Sequence, residues 1–334
     1  MKGLRIIPEE TAVNFIGMRY VAYVISAVLI LGSIFMISTK GLNFGIDFTG
    51  GTVIEIKTPV EPDLAEMRTL LNGLALGAIS IQEFGAKDDL LIRLPQQVED
   101  PIVVKEREEC RAESKEWDEC PPMAQELAIE DVRQAINDTF AEDGEVDYRR
   151  VEYVGPQVGE ELKQQGMIAV FLSMIGILAY VWFRFEWQFG VAAIIALLHD
   201  TVAIMGLFAF AQMDFDLSTV AAILMIAGYS INDTVVVFDR IRENLRKYKK
   251  MPLTELFNMS INQMLSRTLM TSFTTLLALI ALYVLGGEVI RGFVDALIIG
   301  IVVGTYSSVF VAAPVLLLTN IKRSEVQTGE AQEA

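Results

Sequence analysis

Six stretches of the chain run apolar for about twenty residues, the length a helix needs to cross a hydrocarbon layer roughly 30 Å thick. They cover residues 20–39, 166–183, 189–213, 217–238, 265–285 and 293–318. Between the first and second the pattern changes. Residues 52–57 (TVIEIK) alternate and are rich in β-branched side chains, which predicts a strand. Leu64, Met67, Leu70 and Leu71 recur at helical spacing within 63–73. Residues 79–84 and 90–94 read as two strands around a turn at 85–89, residues 124–140 as a second helix, and 146–154 as a last strand. The order β-α-β-β-α-β predicts a ferredoxin-like sandwich. The fold class expected is therefore a polytopic α-helical membrane protein, with a ferredoxin-like α+β domain between its first and second spans.

Charge sharpens the division. The 334 residues carry a net charge of −16, and 52% are hydrophobic. Residues 38–165 hold 28 acidic and 13 basic residues, while the rest of the chain is almost neutral. A soluble enzyme and a disordered acidic protein are thereby excluded, and an acidic exposed domain repels nucleic acid. Lys2, Arg5 and Arg19 precede span one, and Arg184 follows span two. Six basic residues between Arg240 and Lys250 follow span four, and Lys322 and Arg323 follow span six. If every span crosses, all of these lie on one side, which the positive-inside rule makes cytoplasmic. The expected domains are a cytoplasmic N-terminus (1–19), span one (20–39), an outside domain (40–165), a five-helix membrane part (166–318) and a cytoplasmic tail (319–334). No A-x-A pattern follows the first apolar run, so span one is expected to be retained. The basic stretch after span four also suits anionic lipid headgroups, although orientation alone would explain it.

In the outside domain, a charged segment at 99–122 contains both cysteines. An oxidising compartment favours a Cys110–Cys120 clasp over two free thiols in a mobile loop. Two cysteines with no nearby histidine make no four-ligand zinc site. Gly50-Gly51 reads as a tight turn joining the first span to the first strand. Gly300-x-x-x-Gly304 permits close helix approach, but such spacing also arises by chance in glycine-rich spans.

Ionisable groups inside spans carry most of the functional information, because each costs roughly 3 kcal/mol or more to insert. Asp233 lies six residues before Asp239 at the end of its apolar stretch, about 9 Å inside that interface. Asn232 and Thr234 flank it. Arg267 opens the fifth apolar stretch at a comparable depth. Two readings stay open. One is a static ion pair that fixes packing. The other is a carboxylate that alternates between its arginine and an apolar setting, and so carries protons. His199-Asp200 sits mid-span in the third helix. Adjacent residues point about 100° apart, so the two are not expected to face each other. Asp200 is expected to face the polar interior and support a pathway. For His199 a helix–helix hydrogen bond suffices. No HExxH motif, nucleophile pair or phosphate loop argues for an intramembrane enzyme.

The stretch GYSINDTVVVFDRIREN at 228–244 resembles the fourth-span signature of the SecF family, the membrane subunits of bacterial SecD–SecF complexes. LNFGIDFTGG at 42–51, LSRTLMTSFTT at 265–275 and His199-Asp200 agree with it. The resemblance implies half of a resistance-nodulation-division-like unit, completed by SecD. It implies association with the SecYEG channel, with YajC as a further partner, and contact with unfolded secretory polypeptide. It also implies that Asp233 and Arg267 belong to a proton pathway, with protons and no cofactor driving export across the bacterial inner membrane. A self-contained small-molecule exporter and a structural subunit without a relay remain the competing readings.

Overall fold

The computed structural model describes residues 11–113, 120–140, 142, 144–319 and 321. Lys2, Arg5, Lys322, Arg323, the tail beyond 321 and residues 114–119 of the cysteine segment lie outside them. The chain forms two compact units, residues 44–165 and residues 1–43 with 166–334.

Among its described residues the smaller unit has one four-stranded sheet: β1 (Gly51–Lys57), β2 (Ser80–Phe84), β3 (Ala86–Leu94) and β4 (Asp147–Val154). They pair in the order β2-β3-β1-β4, all antiparallel. That is the order a ferredoxin-like sandwich requires. Two helices, α1 (Leu64–Asn72) and α3 (Ala124–Thr139), cover one face of the sheet. Ile54, Ile56, Leu90 and Ile92 from the central strands meet Met67, Leu71, Val132 and Ile136 from these helices in one core. Asp63 starts α1 by accepting from the amides of Ala65 (2.8 Å) and Glu66 (3.3 Å), so two orphan donors of the first turn are satisfied. The glycine pair is explained by crowding. Gly51 has φ +113°, and a Cβ there would stand 2.4 Å from the carbonyl oxygen of Leu94. Only glycine lets the strand begin there.

The structure differs from the expectation in two places. The predicted turn at 85–89 is only Gly85 wide, because β3 starts at Ala86 and carries Lys87, Asp88 and Asp89 as strand positions, with Asp88 facing Lys57 and Asp89 facing Arg149 across the sheet. The cysteine segment is not a loop throughout. Residues Pro101–Glu113 form a helix, α2, with Cys110 disulfide-bonded to Cys120. A buried arginine on this helix, Arg107, pairs with Glu99 at 2.7 Å. The other oxygen of Glu99 accepts from the amide of Ala124 at 3.0 Å, so one carboxylate neutralises a buried cation and caps the start of α3.

Among the described residues, six apolar helices are each long enough to span, and all but the first ten residues of the second lie in the larger unit. They are span one (Arg19–Lys40), span two (Pro156–Arg184), span three (Trp187–Ala211), span four (Leu217–Lys247), span five (Leu253–Leu285) and span six (Arg291–Leu318). Several helices outrun their apolar stretch. Backbone bonding continues until a cap intervenes, not until the side chains turn polar. Span five therefore starts at Leu253, twelve residues before the expected start, and Arg267 lies inside the helix and does not open it. Span four is started by Asp216, whose Oδ1 accepts from the Thr219 amide at 2.7 Å. Span six contains a π turn at Ser308–Ala312. Pro314 follows it; a proline gives no amide bond and its ring crowds the carbonyl four residues earlier, which a widened turn relieves.

Spans three, four and six are half or more buried, whereas spans one, two and five are mostly exposed. Two seams are tight: span three meets span one where Gly206 lies against Ser33, and span four meets span six. A Cβ on Gly300 would lie 2.3 Å from Ile226 Cδ1, and one on Gly304 3.2 Å from Ser230 Cβ. The glycine spacing is thus a packing device here and not a chance pattern. At one end Phe189 lies 5.5 Å from Phe185 and 5.2 Å from Phe238, ring centre to ring centre. Asn258 and Asn262 of span five hold the segment before span one through the amides of Ile16 (2.8 Å) and Val13 (3.0 Å).

Two outcomes follow. Gly300→Leu overpacks the seam and costs about 1–3 kcal/mol, lowering the detergent-solubilised melting temperature, whereas Gly176→Leu on exposed span two leaves it unchanged. Replacing both cysteines by serine releases a clasp worth about 2–3 kcal/mol on loop-entropy grounds. Amide exchange should then quicken over α2, while β1 and β3 keep their protection.

Candidate functional site

Three of the packed helices each contribute polar groups to the interior. Asp200, on span three, is 1% exposed. Its Oδ2 accepts from Ser230 Oγ of span four at 2.5 Å and from Ser307 Oγ of span six at 2.7 Å. Its Oδ1 lies 3.0 Å from His199 Nδ1. The expectation that the two neighbours would not meet is corrected by this contact. Their Cβ atoms diverge around the helix, but the imidazole and the carboxylate are long enough to turn toward each other. Span three runs through them without a break. His199 Nε2 is buried and has no hydrogen-bond partner, and its ring centre lies 6.1 Å from that of Tyr306. Tyr306 in turn donates to the carbonyl oxygen of Ala22 at 3.0 Å, which fastens span one to span six.

Asp233 lies one turn beyond Ser230 on span four and is 4% exposed. Its setting is the opposite of that of Asp200. Its Oδ2 is buried with no hydrogen-bond partner. Arg267 is near enough to act on it electrostatically, but the two form no ion pair within 4.0 Å. The static pair is therefore not what this structure contains. Thr234 is buried beside Asp233, while Asn232 and Arg267 are exposed. The expected residues thus fall into two groups. Asp200 and His199 belong to a closed hydrogen-bonded knot. Asp233 and Thr234 lie inside the packed helices, and Asn232 and Arg267 face outward from this chain.

Sequence reasoning missed Ser307. A serine in an apolar helix normally satisfies itself on its own backbone, and nothing local marks one that reaches another span. A second polar cluster was missed for the same reason. Ser272 Oγ lies 2.7 Å from Thr305 Oγ1 and 3.3 Å from Tyr229 Oη, and so joins spans four, five and six. Among the described residues no three His, Cys, Asp or Glu side chains gather as a metal site.

Comparison with known proteins locates this arrangement. Residues 134–322 match the family model described as "Protein export membrane protein SecD/SecF, C-terminal", and residues 35–58 match "SecD/SecF GG Motif". The chain is 42% identical over 322 residues to a protein translocase subunit SecF of Rickettsia bellii, covering 96% of this chain and 98% of the relative. It is 41% identical over 315 residues to the SecF of Rickettsia prowazekii, covering 94% and 93%. Among solved structures, a crystal structure of SecDF, a translocon-associated membrane protein from Thermus thermophilus, matches with a TM-score of 0.78 at 34% identity. That match covers 94% of this chain and 40% of the solved one. SecDF in a super-membrane-facing form matches with a TM-score of 0.64 at 35% identity, again over 40% of its length. With a GG turn ahead of the first strand, six apolar helices and near full-length likeness to curated relatives, the chain belongs to the SecF family of protein translocase subunits.

Proposed function

We propose that this subunit couples proton flow to polypeptide export, with Asp233 as the group that gains and loses the proton. The observation that carries the reading is the Asp233 oxygen, buried in a span without a hydrogen-bond donor, with Arg267 close but not bonded to it. A carboxylate in that position is costly, and the cost is relieved either by a proton or by an approaching cation. Alternation between the two gives a cycle. When Arg267 approaches, the carboxylate is favoured and the proton leaves. When Arg267 withdraws, a proton is taken up from the other side. One charge crossing about 100 mV yields roughly 2.3 kcal/mol, enough to shift the populations of two conformers severalfold or more.

The remaining half of the pathway comes from a partner. Asn232 and Arg267 are polar groups at span depth that face outward, which supports a seam completed by SecD. The solved relatives, of which this chain spans 40%, are SecDF chains and one is described as translocon-associated. On this reading the subunit sits in the bacterial inner membrane with both termini cytoplasmic and the α+β unit periplasmic. It works beside the SecYEG channel, with YajC as an accessory, and acts on unfolded secretory polypeptides as they emerge.

Export into sealed inverted vesicles, with and without a proton gradient, tests the proposal. Asp233→Asn and Arg267→Met should each reduce gradient-stimulated export to the gradient-free level. ATP-driven entry and co-purification with SecD should be unchanged. Full gradient stimulation in the Asp233→Asn chain would leave only the structural role.

A further inference from the structure

The proton reading needs Asp233 to keep a fixed facing while its partners move, and span four alone does not supply this. Aliphatic contacts alone set rotation weakly, so polar contacts matter. Within a turn of Asp233, Tyr229 reaches Ser272 of span five at 3.3 Å, and a shorter, fully buried contact follows one residue later. Ser230, three residues earlier, donates to Asp200 Oδ2, and Ser307 donates to the same oxygen. Ser307 Oγ also lies 3.1 Å from the carbonyl oxygen of Gly304, the weaker of the two acceptors for its one proton, and Gly304 lies against Ser230. Asp200, Ser230 and Ser307 thus meet at one oxygen, joining spans three, four and six. We propose that Asp200 is the positioning residue for Asp233: its bond to Ser230 fixes the rotation of span four, and its bond to Ser307 ties that setting to span six.

The geometry favours this over a second relay. Asp200 has polar partners at both oxygens and is 1% exposed, whereas Asp233 has a buried oxygen without a partner. One carboxylate is held and the other is left available. The charged and titratable groups set against this part of span four are Arg267 from span five and Asp200 with His199 from span three. Span six brings hydroxyls at this level, its Arg291 and Asp295 lying at the far end of the helix. A one-turn separation means that loss of the Ser230 bond lets span four rotate and changes what Asp233 faces, without touching Asp233 itself.

The inference rests on the proton reading, and the test separates the two. The probe is dicyclohexylcarbodiimide, which attaches to protonated carboxyl groups in apolar surroundings. The full chain in membranes with its partner subunit is treated across a pH series, and labelling at Asp233 is read by peptide mass. In the native chain, labelling should fall with rising pH around a midpoint. Ser230→Ala and Asp200→Asn should each displace that midpoint by about one pH unit or more. Ser308→Ala, which removes an equally buried hydroxyl bonded only to the backbone of its own helix, should leave it in place. Native labelling without any pH dependence would overturn the proton reading. A native midpoint that persists in both Ser230→Ala and Asp200→Asn would overturn the positioning role alone, and a midpoint displaced equally by Ser308→Ala would overturn it in favour of general packing.

Discussion

The membrane unit is organised by how it handles a negative charge inside hydrocarbon. A carboxylate at span depth costs roughly 3 kcal/mol or more to insert, and a hydrogen bond to a charged group returns about 1.5–3 kcal/mol. Asp200 accepts two serine hydroxyls and meets a histidine, so its cost is offset within this chain. Asp233 has no such offset at its buried oxygen. The two acids lie on neighbouring helices, linked through Ser230, yet their energies are of different kinds. On the proposed reading one is a fastener, and the other is a charge whose remaining cost is relieved by a proton or by closer approach of a cation.

Helix packing follows from the same requirement. The hydroxyls can reach Asp200 only if spans three, four and six approach closely, and this is what Gly300 and Gly304 permit. The seam is parallel, pairing Gly300 with Ile226 and Gly304 with Ser230, so the glycine spacing of one helix matches the side-chain spacing of the other. Small residues and a buried polar contact thus specify one register where lipid-like side chains would allow many. Spans one, two and five lie around this core with exposed apolar faces, as expected for helices that meet lipid or another subunit.

Much of this was legible in the residues. The six spans, the strand order of the α+β unit and the helix started by Asp63 follow from periodicity and capping, which are local. The Asp233 and Arg267 pair was singled out by rarity, since charges seldom occur inside spans. What stayed hidden was non-local. Ser307 looks like any hydroxyl in an apolar helix until three helices are assembled around it. The start of span five at Leu253 was missed because apolar length reports the membrane thickness and not where helical hydrogen bonding ends. Helix α2 was missed because its charges gave no amphipathic stripe. Its one buried side chain of note is a cation, Arg107, and the reason for burying it is Glu99, two residues before the helix begins.

The contact between His199 and Asp200 shows why adjacency on a helix is a weak guide for polar pairs. The rule of 100° per residue governs Cβ directions, and it holds for short apolar side chains that must pack where they point. It fails for a pair whose hydrogen bond is worth more than the rotamer cost of bending toward each other, and in a dry interior that balance favours the bond. The same reasoning separates Asp233 from Arg267. Nothing about their spacing prevents a bond, and an isolated pair in hydrocarbon would be expected to close. The chain instead leaves Arg267 exposed on span five and Asp233 buried on span four. An arginine held apart from a nearby carboxylate needs another neighbour to offset its own cost, and no acid on this chain takes that place within ion-pair distance among the described residues. On the proposed reading that neighbour comes from a second subunit at the face where Arg267 is exposed, and the separation of the pair is what such a seam would produce.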